Sequence, residues 1–313
     1  MQRRFSVVIA AYNRENYIRQ TIDSVLSQTF HEYEIIVVDD GSTDGTQEVL
    51  QTYGDQIKYV RQANQGSEAT FRKGASLAKG EYLAFLDSDD LFMPCALETY
   101  DTIIRSLDSP PLIMGSMIRF HDEQTIEACE KHAAFIEVLK YRDYFSKEIG
   151  MGIAQSIIVM KKTVFDEINA EMDRSANPYL FNYDYNLILQ AGTHGPCVIV
   201  RKPVTVAYRQ HANQNSLNVI KMAEGLLALI RMVRSGRSFG GWSRLPAKCA
   251  FLGGPVYEWS RKAINDKRST LAFRLLLNGW PMILIAALRK VLLFFQHPTA
   301  PFIIKANNGE TAS

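Results

Sequence analysis

The first ninety residues alternate short apolar runs with stretches whose apolar positions recur at helical spacing. Residues 5–11 are apolar and β-rich and read as a strand. Within 16–28, Tyr17, Ile18, Ile22, Val25 and Leu26 recur at the spacing of one helical face. Residues 34–38 predict a second strand, which stops at Asp39-Asp40-Gly41-Ser42. The pattern then predicts a helix over 46–53, a strand over 57–60, a helix over 67–78 ended by Gly80, and a strand over 82–86 that runs into Asp87-Ser88-Asp89-Asp90. Strands alternating with helices imply an α/β fold with a mainly parallel, doubly wound sheet and right-handed crossovers. In such sheets ligands bind beyond the carboxyl ends of the strands. Three of those ends carry polar clusters here: Tyr12-Asn13, Asp39-Asp40 and 87–90.

The middle is less regular. Residues 112–118, 156–160, 198–200 and 204–208 predict strands, and 137–145 and 185–190 predict helices. After Ser216 the texture changes. A helix is expected over 217–234, with Leu226, Leu227, Leu229 and Ile230 on it, and a loop over 236–241. Further helical stretches are expected at about 256–264, 269–277 and 281–295, and a frayed polar end at about 304–313. No window supplies the roughly 20 uninterrupted apolar residues of a standard membrane span. The N-terminal apolar run meets Tyr12-Asn13-Arg14 with no cleavage site beyond, so a buried strand fits it better than a signal peptide. The glycine-rich dinucleotide and P-loop fingerprints are missing.

Charge divides the chain where the texture does. The 313 residues carry a formal net charge of +2, which argues against a general nucleic-acid binder. Residues 1–216 hold 21 basic and 29 acidic side chains, a net of −8; residues 217–313 hold 14 basic and 4 acidic, a net of +10. Such asymmetry implies two parts with different partners, here 1–216 and 217–313. Cys95, Cys129, Cys197 and Cys249 are scattered, with no C-x-x-C pair. This points to a reducing compartment and away from a cysteine zinc site.

Ser6-Val-Val-Ile-Ala-Ala-Tyr-Asn13, then Ser24-Val-Leu-Ser-Gln-Thr-Phe30, then Glu34-Ile-Ile-Val-Val-Asp-Asp-Gly-Ser-Thr-Asp44 resemble the family 2 glycosyltransferases. Gly80-Glu-Tyr-Leu-Ala-Phe-Leu-Asp-Ser-Asp-Asp90 resembles that family's D-x-D segment. The likeness is close over about 5–95 and looser to 216. It implies a GT-A fold, a nucleotide-sugar donor that is usually UDP-linked, Mg²⁺ or Mn²⁺, and inversion at the anomeric carbon. Elementary chemistry agrees. A sugar diphosphate leaves readily only when its developing charge is neutralised, and hard cations that do this prefer oxygen ligands.

By the family pattern Asp89 binds the metal, and Asp87, with Ser88 beside it, contacts the ribose or donor sugar. Asp40 sits where the family holds the nucleobase, with Ala10, Tyr12, Asn13 and Glu15 on the neighbouring strand end. Asp39 and Asp44 read as turn and cap chemistry. The family's Ala-Arg-Asn-x-Gly becomes Thr70-Phe71-Arg72-Lys73-Gly74, so Arg72 or Lys73 is left to reach the diphosphate or to lie on a solvated helix face. The base that deprotonates the acceptor is expected to be Asp184 in Phe181-Asn-Tyr-Asp-Tyr-Asn186, although Tyr183 precedes it where the family usually has Glu. Glu171 and Asp173 are rivals, and a first-turn capping role is the alternative. Tyr208-Arg209-Gln210-His211 resembles the stretch closing the catalytic domain, where a histidine such as His211 completes the metal shell or touches the diphosphate.

Residues 256–296 combine apolar and aromatic positions with Arg261-Lys262, Lys267-Arg268, Arg274 and Arg289-Lys290. This fits an interfacial anchor on anionic lipid, placing a cytoplasmic enzyme at the inner face of the membrane near a saccharide or lipid-linked acceptor. A helical lid on the catalytic domain or a homo-oligomer contact would use the same pattern. Two rival functions remain: a non-catalytic sugar-nucleotide-binding or scaffold protein on the same fold, and a nucleotidyltransferase, for which 10–14 lacks the usual glycine-rich basic loop.

Overall fold

The computed structural model describes residues 3–121, 135–146, 152–171, 182–212, 214–238, 241–242, 244–294 and 300–305. Five strands and four helices make the N-terminal third: β1 (Phe5–Ala11), α1 (Ile18–Leu26), β2 (Tyr33–Asp39), α2 (Thr46–Gln51), β3 (Lys58–Arg61), α3 (Ser67–Ser76), β4 (Tyr82–Asp87), β5 (Leu91–Phe92) and α4 (Ala96–Ser106). There follow β6 (Leu112–Met114), β7 (Met117–Phe120), β8 (Phe135–Tyr141), β9 (Ile158–Lys161), α5 (Lys162–Glu171), α6 (Tyr183–Ala191), β10 (Cys197–Lys202) and β11 (Val206–Arg209). The C-terminal part adds α7 (Val219–Arg234), α8 (Leu245–Asn265), α9 (Ser269–Phe294) and β12 (Phe302–Lys305).

Nine strands form one sheet in the order β12-β8-β10-β6-β9-β4-β1-β2-β3, and β5-β11-β7 form a second. Strands β3, β2, β1 and β4 are parallel, whereas β9 runs antiparallel between β4 and β6. Phe5, Val7, Val8 and Ile9 have no exposed surface, because α-helices cover the parallel strands on both faces. The chain winds outward from β1 to β3, then returns to β4 on the other side of β1. That reversal opens a crevice between the carboxyl ends of β1 and β4. Gly80 lets the return pass close to β1. A Cβ there would lie 2.5 Å from the Phe5 carbonyl carbon and the Ser6 nitrogen, and the Gly80 N–H donates to Ser6 Oγ at 2.8 Å.

Three expected elements come out differently. The strand expected over 112–118 splits at Gly115-Ser116 into β6 and β7, which belong to different sheets. The Gly115 N–H turns to the Ile157 carbonyl and the Ser116 N–H to Thr205 Oγ1, so the chain steps from one sheet to the other. The helix expected over 137–145 is instead β8 followed by a 3-10 turn at Tyr144–Ser146. Ile136, Val138, Leu139 and Tyr141 are buried against β10 and β12, and over so short a run strand and helix spacing coincide. The three helices expected after 256 are two, α8 and α9, and α9 continues through Pro281. Its neighbour holds it across that position. A Cβ on Gly253 would meet the Met282 carbonyl, and one on Gly279 would meet Val256, so the two helices run antiparallel in close contact. Ser269–Leu292 of α9 is, by length and composition, long and apolar enough to cross a membrane, with a mean hydropathy of 1.7 over its most apolar window. Within the end expected to fray, Phe302–Lys305 form β12 on the edge of the large sheet.

Candidate active site

The register places the polar clusters together. Ala10 pairs with Asp87 across β1 and β4, and Ala11 with Asp39 across β1 and β2. Beyond β1 the backbone turns at Asn13, whose φ of 53° lies in the left-handed region that asparagine tolerates. Asn13 Oδ1 accepts the Thr43 N–H at 2.8 Å, and the Asn13 N–H donates to Ser42 Oγ at 3.0 Å. Tyr12 is left 44% exposed at the mouth of the crevice. Glu15 faces the start of α2, where Oε2 accepts the Gly45 N–H at 2.8 Å. Asp44 caps the same helix through the Thr46 N–H and hydroxyl, and Asp39 closes its own turn on the Ser42 N–H.

Asp40 is buried and organises the loop before α3. One oxygen accepts the Gln62 amide and the Gln65 N–H, both at 2.9 Å; the other accepts the Gly66 N–H at 2.8 Å. A carboxylate has about four acceptor sites, and these three donors fill three of them.

The turn after β4 sorts its carboxylates by direction. Asp90 is 1% exposed and points inward, accepting the Ser156 hydroxyl at 2.6 Å and the Arg209 N–H at 2.9 Å. Asp87 and Asp89 stay partly accessible, while Ser88 is buried between them. Asp89 Oδ2 lies 3.0 Å from His211 Nε2 and 3.3 Å from Arg14 Nε. Burial opposes its ionisation, but the His211 hydrogen bond and the Arg14 charge outweigh that and hold Asp89 below the usual carboxylate range. At Asp87 the Arg14 charge and the Ser156 hydroxyl pull the same way but are outweighed. Burial first, then the charges of Asp89 and Asp184, push it up to about 8. Asp90 is raised well above its ordinary value by burial and then by the charges of Asp89 and Asp87.

Asp184 enters this field from the first turn of α6, where Tyr183 stacks on Phe71 of α3 with ring centroids 5.9 Å apart. Burial pushes Asp184 up to about 7, against the lowering effect of the Tyr185 N–H, which donates to Oδ1 at 2.8 Å. Arg72 lies on α3 within 3.6 Å of Glu68, and both act electrostatically on Tyr183. Lys73 is exposed. Of the rival bases, Glu171 ends α5 and Asp173 lies outside the described residues.

Four residues absent from the expected set complete the site. Arg14 and Ser156 touch the acidic turn directly. Arg209 packs over the Tyr17 and Phe120 rings, with centroids 5.2 and 4.6 Å from its guanidinium carbon, and donates to the Asp89 carbonyl and to Gln20. Tyr17 also lies against His211, ring to ring at 4.6 Å. Arg209 was legible as a neighbour of His211, but Ser156 stands 66 residues from Asp90 with no local motif.

The donor set suits a hard divalent cation. Asp87 and Asp89 offer oxygens, His211 an imidazole whose Nδ1 is buried without a hydrogen-bond partner, and the mutual repulsion of the carboxylates calls for positive charge. Among the described residues no three His, Cys, Asp or Glu side chains form a ready-made metal cage.

Residues 6–167 match the family model described as glycosyl transferase family 2. Over 109 residues, 35% of its length, the chain is 41% identical to an uncharacterized glycosyltransferase of Rickettsia typhi, covering 34% of that relative. Over 125 residues, 39% of its length, it is 37% identical to glycosyltransferase GlyA of Streptococcus pneumoniae serotype 4, covering 18% of it. The matched stretch thus spans about a third or less of these curated relatives. Among solved structures, S. aureus TarS 1–349 in complex with UDP-GlcNAc aligns with a TM-score of 0.54 at 13% identity, over 97% of both chains. Mannosyltransferase PcManGT from Pyrobaculum calidifontis, in complex with GDP-Man and Mn²⁺, aligns at 0.50 and 14% identity, over 93% of this chain and 88% of that one. At these identities the likeness is one of fold.

Proposed function

The chain belongs to glycosyl transferase family 2 and has a GT-A fold, and on that premise we propose that it transfers a sugar from a UDP-linked donor to a hydroxyl acceptor with inversion. We assign the chemistry to 1–216 and the docking role to 217–313. The observation that carries the reading is the placement of Asp87, Asp89 and Asp184 beside the carboxyl ends of β1 and β4, where Asp87 feels the charge of both the others. A protein that merely folded would gain by neutralising such a cluster, so its retention fits a cationic ligand and proton chemistry.

Each side chain then has a task. Asp184, at about 7, is half ionised at neutral pH, which suits a general base. It takes the acceptor hydroxyl's proton as that oxygen bonds to the anomeric carbon and the bond to the diphosphate oxygen breaks on the opposite face. Asp87 and Ser88 hold the donor's ribose or sugar. Asp40 uses its remaining acceptor site on the base, beside Tyr12, Asn13 and Ala10, while Glu15 shapes the loop. Arg72 faces the diphosphate. Asp89 and His211 would hold Mg²⁺ or Mn²⁺, which when bound neutralises charge on the departing diphosphate. The acceptor is a saccharide or lipid-linked sugar at the cytoplasmic face of the membrane.

A thermal-shift panel of UDP-, GDP- and TDP-sugars with Mn²⁺, followed by UDP-release assays with acceptor, tests the reading. We expect stabilisation by UDP-sugars above the others and Mn²⁺-dependent UDP release. Binding without release under any acceptor would favour the non-catalytic reading; no binding to any nucleotide sugar would overturn both.

A further inference from the structure

Helix α9 is apolar on two opposite faces, and only one is covered by protein. Leu271, Ala272, Leu275, Gly279 and Met282 form the inner face, buried against α8 and α7. On the other side Phe273, Leu277, Trp280, Leu284, Leu288 and Val291 recur every three or four residues and are half or more exposed, Phe273 at 63% and Trp280 at 58%. At 1.5 Å per residue this stripe runs about 27 Å along the helix. A continuous exposed apolar surface of that length marks an interaction site.

The structure also redraws which groups of 256–296 can meet a partner. Trp259 is buried, with Lys262 over its ring. Arg289 turns inward to the Phe145 carbonyl, and Arg274 pairs with Glu224. Lys290, Arg261 and Lys267 remain exposed, and so does Arg268, which pairs with Asp266 as Arg274 does with Glu224; Lys290 lies about 100° round the helix from Val291.

We infer that α9 lies flat in the interface of an anionic lipid bilayer, with the stripe from Phe273 to Val291 inserted among the lipids. This deepens the membrane placement of the proposed function. Charge decides between occupants. Residues 217–313 have a net charge of +10, so a second copy would bring two strongly cationic surfaces together, whereas anionic headgroups complement them. Packing decides the orientation. To span the bilayer, α9 would have to leave the seam where Gly253 and Gly279 allow backbone contact with α8. Lying flat keeps that seam and buries only the face now exposed, as in monotopic interfacial helices.

The test is flotation of the full chain, without nucleotide, on vesicles of phosphatidylcholine alone and with phosphatidylglycerol. Binding is expected on the anionic vesicles at low salt, reduced at least tenfold in Trp280→Ser/Leu284→Ser/Leu288→Ser and in Lys267→Glu/Arg268→Glu/Lys290→Glu. The charge variant leaves every apolar contact in place, so loss there cannot be ascribed to misfolding of the stripe. The part of the tryptophan emission shift that Trp280→Phe removes should be quenched by bromines near the glycerol more than by bromines near the acyl ends. No flotation, deep quenching, or a dimer that the serine variant dissociates would each overturn the inference. UDP release with a water-soluble acceptor needs no vesicle, so failure of docking and failure of the transferase reading are told apart.

Discussion

Replacing Asp184 with Asn should disable turnover and stabilise the fold, and the pairing of those two signs is the diagnostic. Asp184 rises from an ordinary 3.8 to about 7 because burial disfavours its anion. Three pH units at about 1.4 kcal/mol each make the ionised form cost about 4 kcal/mol in the folded protein. The folded state holds the proton more tightly than the unfolded chain, so stability is highest below pH 4 and falls by about 1.4 kcal/mol per unit as pH rises to 7. Asn mimics the protonated form and keeps an oxygen for the Tyr185 N–H. Its gain should therefore be smallest at pH 4, grow steadily between pH 4 and 7 and level off at about 4 kcal/mol above pH 8. For 313 residues the last figure corresponds to about 6 °C in Tm. The assay is thermal unfolding of the metal-free protein in chelator from pH 4 to 9, because a bound cation would favour the anion and shrink the effect.

Turnover should move the other way. Loss of a general base typically removes a factor of about 10²–10⁴. The parent enzyme should lose activity tenfold per unit below pH 7, while the residual rate of Asp184→Asn should lack that limb. A helix-capping aspartate gives the opposite pattern: its replacement destabilises and spares turnover. Destabilisation at pH 8, or turnover within a few-fold of the parent, would refute the assignment.

Asp89→Ala should abolish transfer like Asp184→Asn but also weaken Mn²⁺-dependent UDP binding by calorimetry, which Asp184→Asn should spare; intact UDP binding would remove Asp89 from the metal site. Arg14→Gln takes a cation from within 3.3 Å of Asp89 and should raise the affinity of the nucleotide-free protein for Mn²⁺ at least tenfold by electron paramagnetic resonance, since even two unit charges about 4 Å apart interact by about 4 kcal/mol at an effective dielectric of about 20; unchanged or weaker binding would show that Arg14 does not shield the site. Gly253→Val forces side-chain bulk onto the Met282 carbonyl, where even a Cβ would lie 2.2 Å away, and should cost at least about 2 kcal/mol in chemical denaturation; a neutral result would mean that the α8–α9 seam is not tightly packed.

How much was legible follows from where each constraint is encoded. β1 falls on the expected residues because Phe5–Ala11 is buried on both faces, and an unbroken apolar run has few other homes. The acidic turn was legible because β4 must end there. Which of its carboxylates turns inward was not. Asp87, Asp89 and Asp90 are chemically alike, and only Ser156, in the 3-10 turn before β9, and Arg209 of β11 turn Asp90 inward. The same holds for Arg14, which reads as a loop cation until the fold brings Asp89 to it. The split at Gly115-Ser116 depends on Thr205, 89 residues away. In α9 the pattern misled for another reason. Both its seam and its outer stripe are apolar, so the helical period is blurred between 277 and 281, where the helix in fact continues through Pro281.

The inward aspartate explains how the site tolerates its own charge. Three adjacent anions on one turn would repel it open. Instead Asp90, raised well above its ordinary value by burial and by the charges of Asp89 and Asp87, is turned inward as a tether that accepts the Ser156 hydroxyl and the Arg209 N–H of β11. Arg209 reinforces the tether from the other side, donating to the Asp89 carbonyl while its guanidinium is sandwiched between Tyr17 and Phe120. Its side chain therefore clamps the backbone of the turn and leaves the Asp89 carboxylate to Arg14 and His211. Of the carboxyls left facing the site, Asp89 is the one held below its ordinary range, while burial and like charge raise Asp87 and burial raises Asp184. Such a cluster is preorganised: the unfavourable assembly of acidic groups is completed on folding, and the cationic ligand proposed above would relieve it.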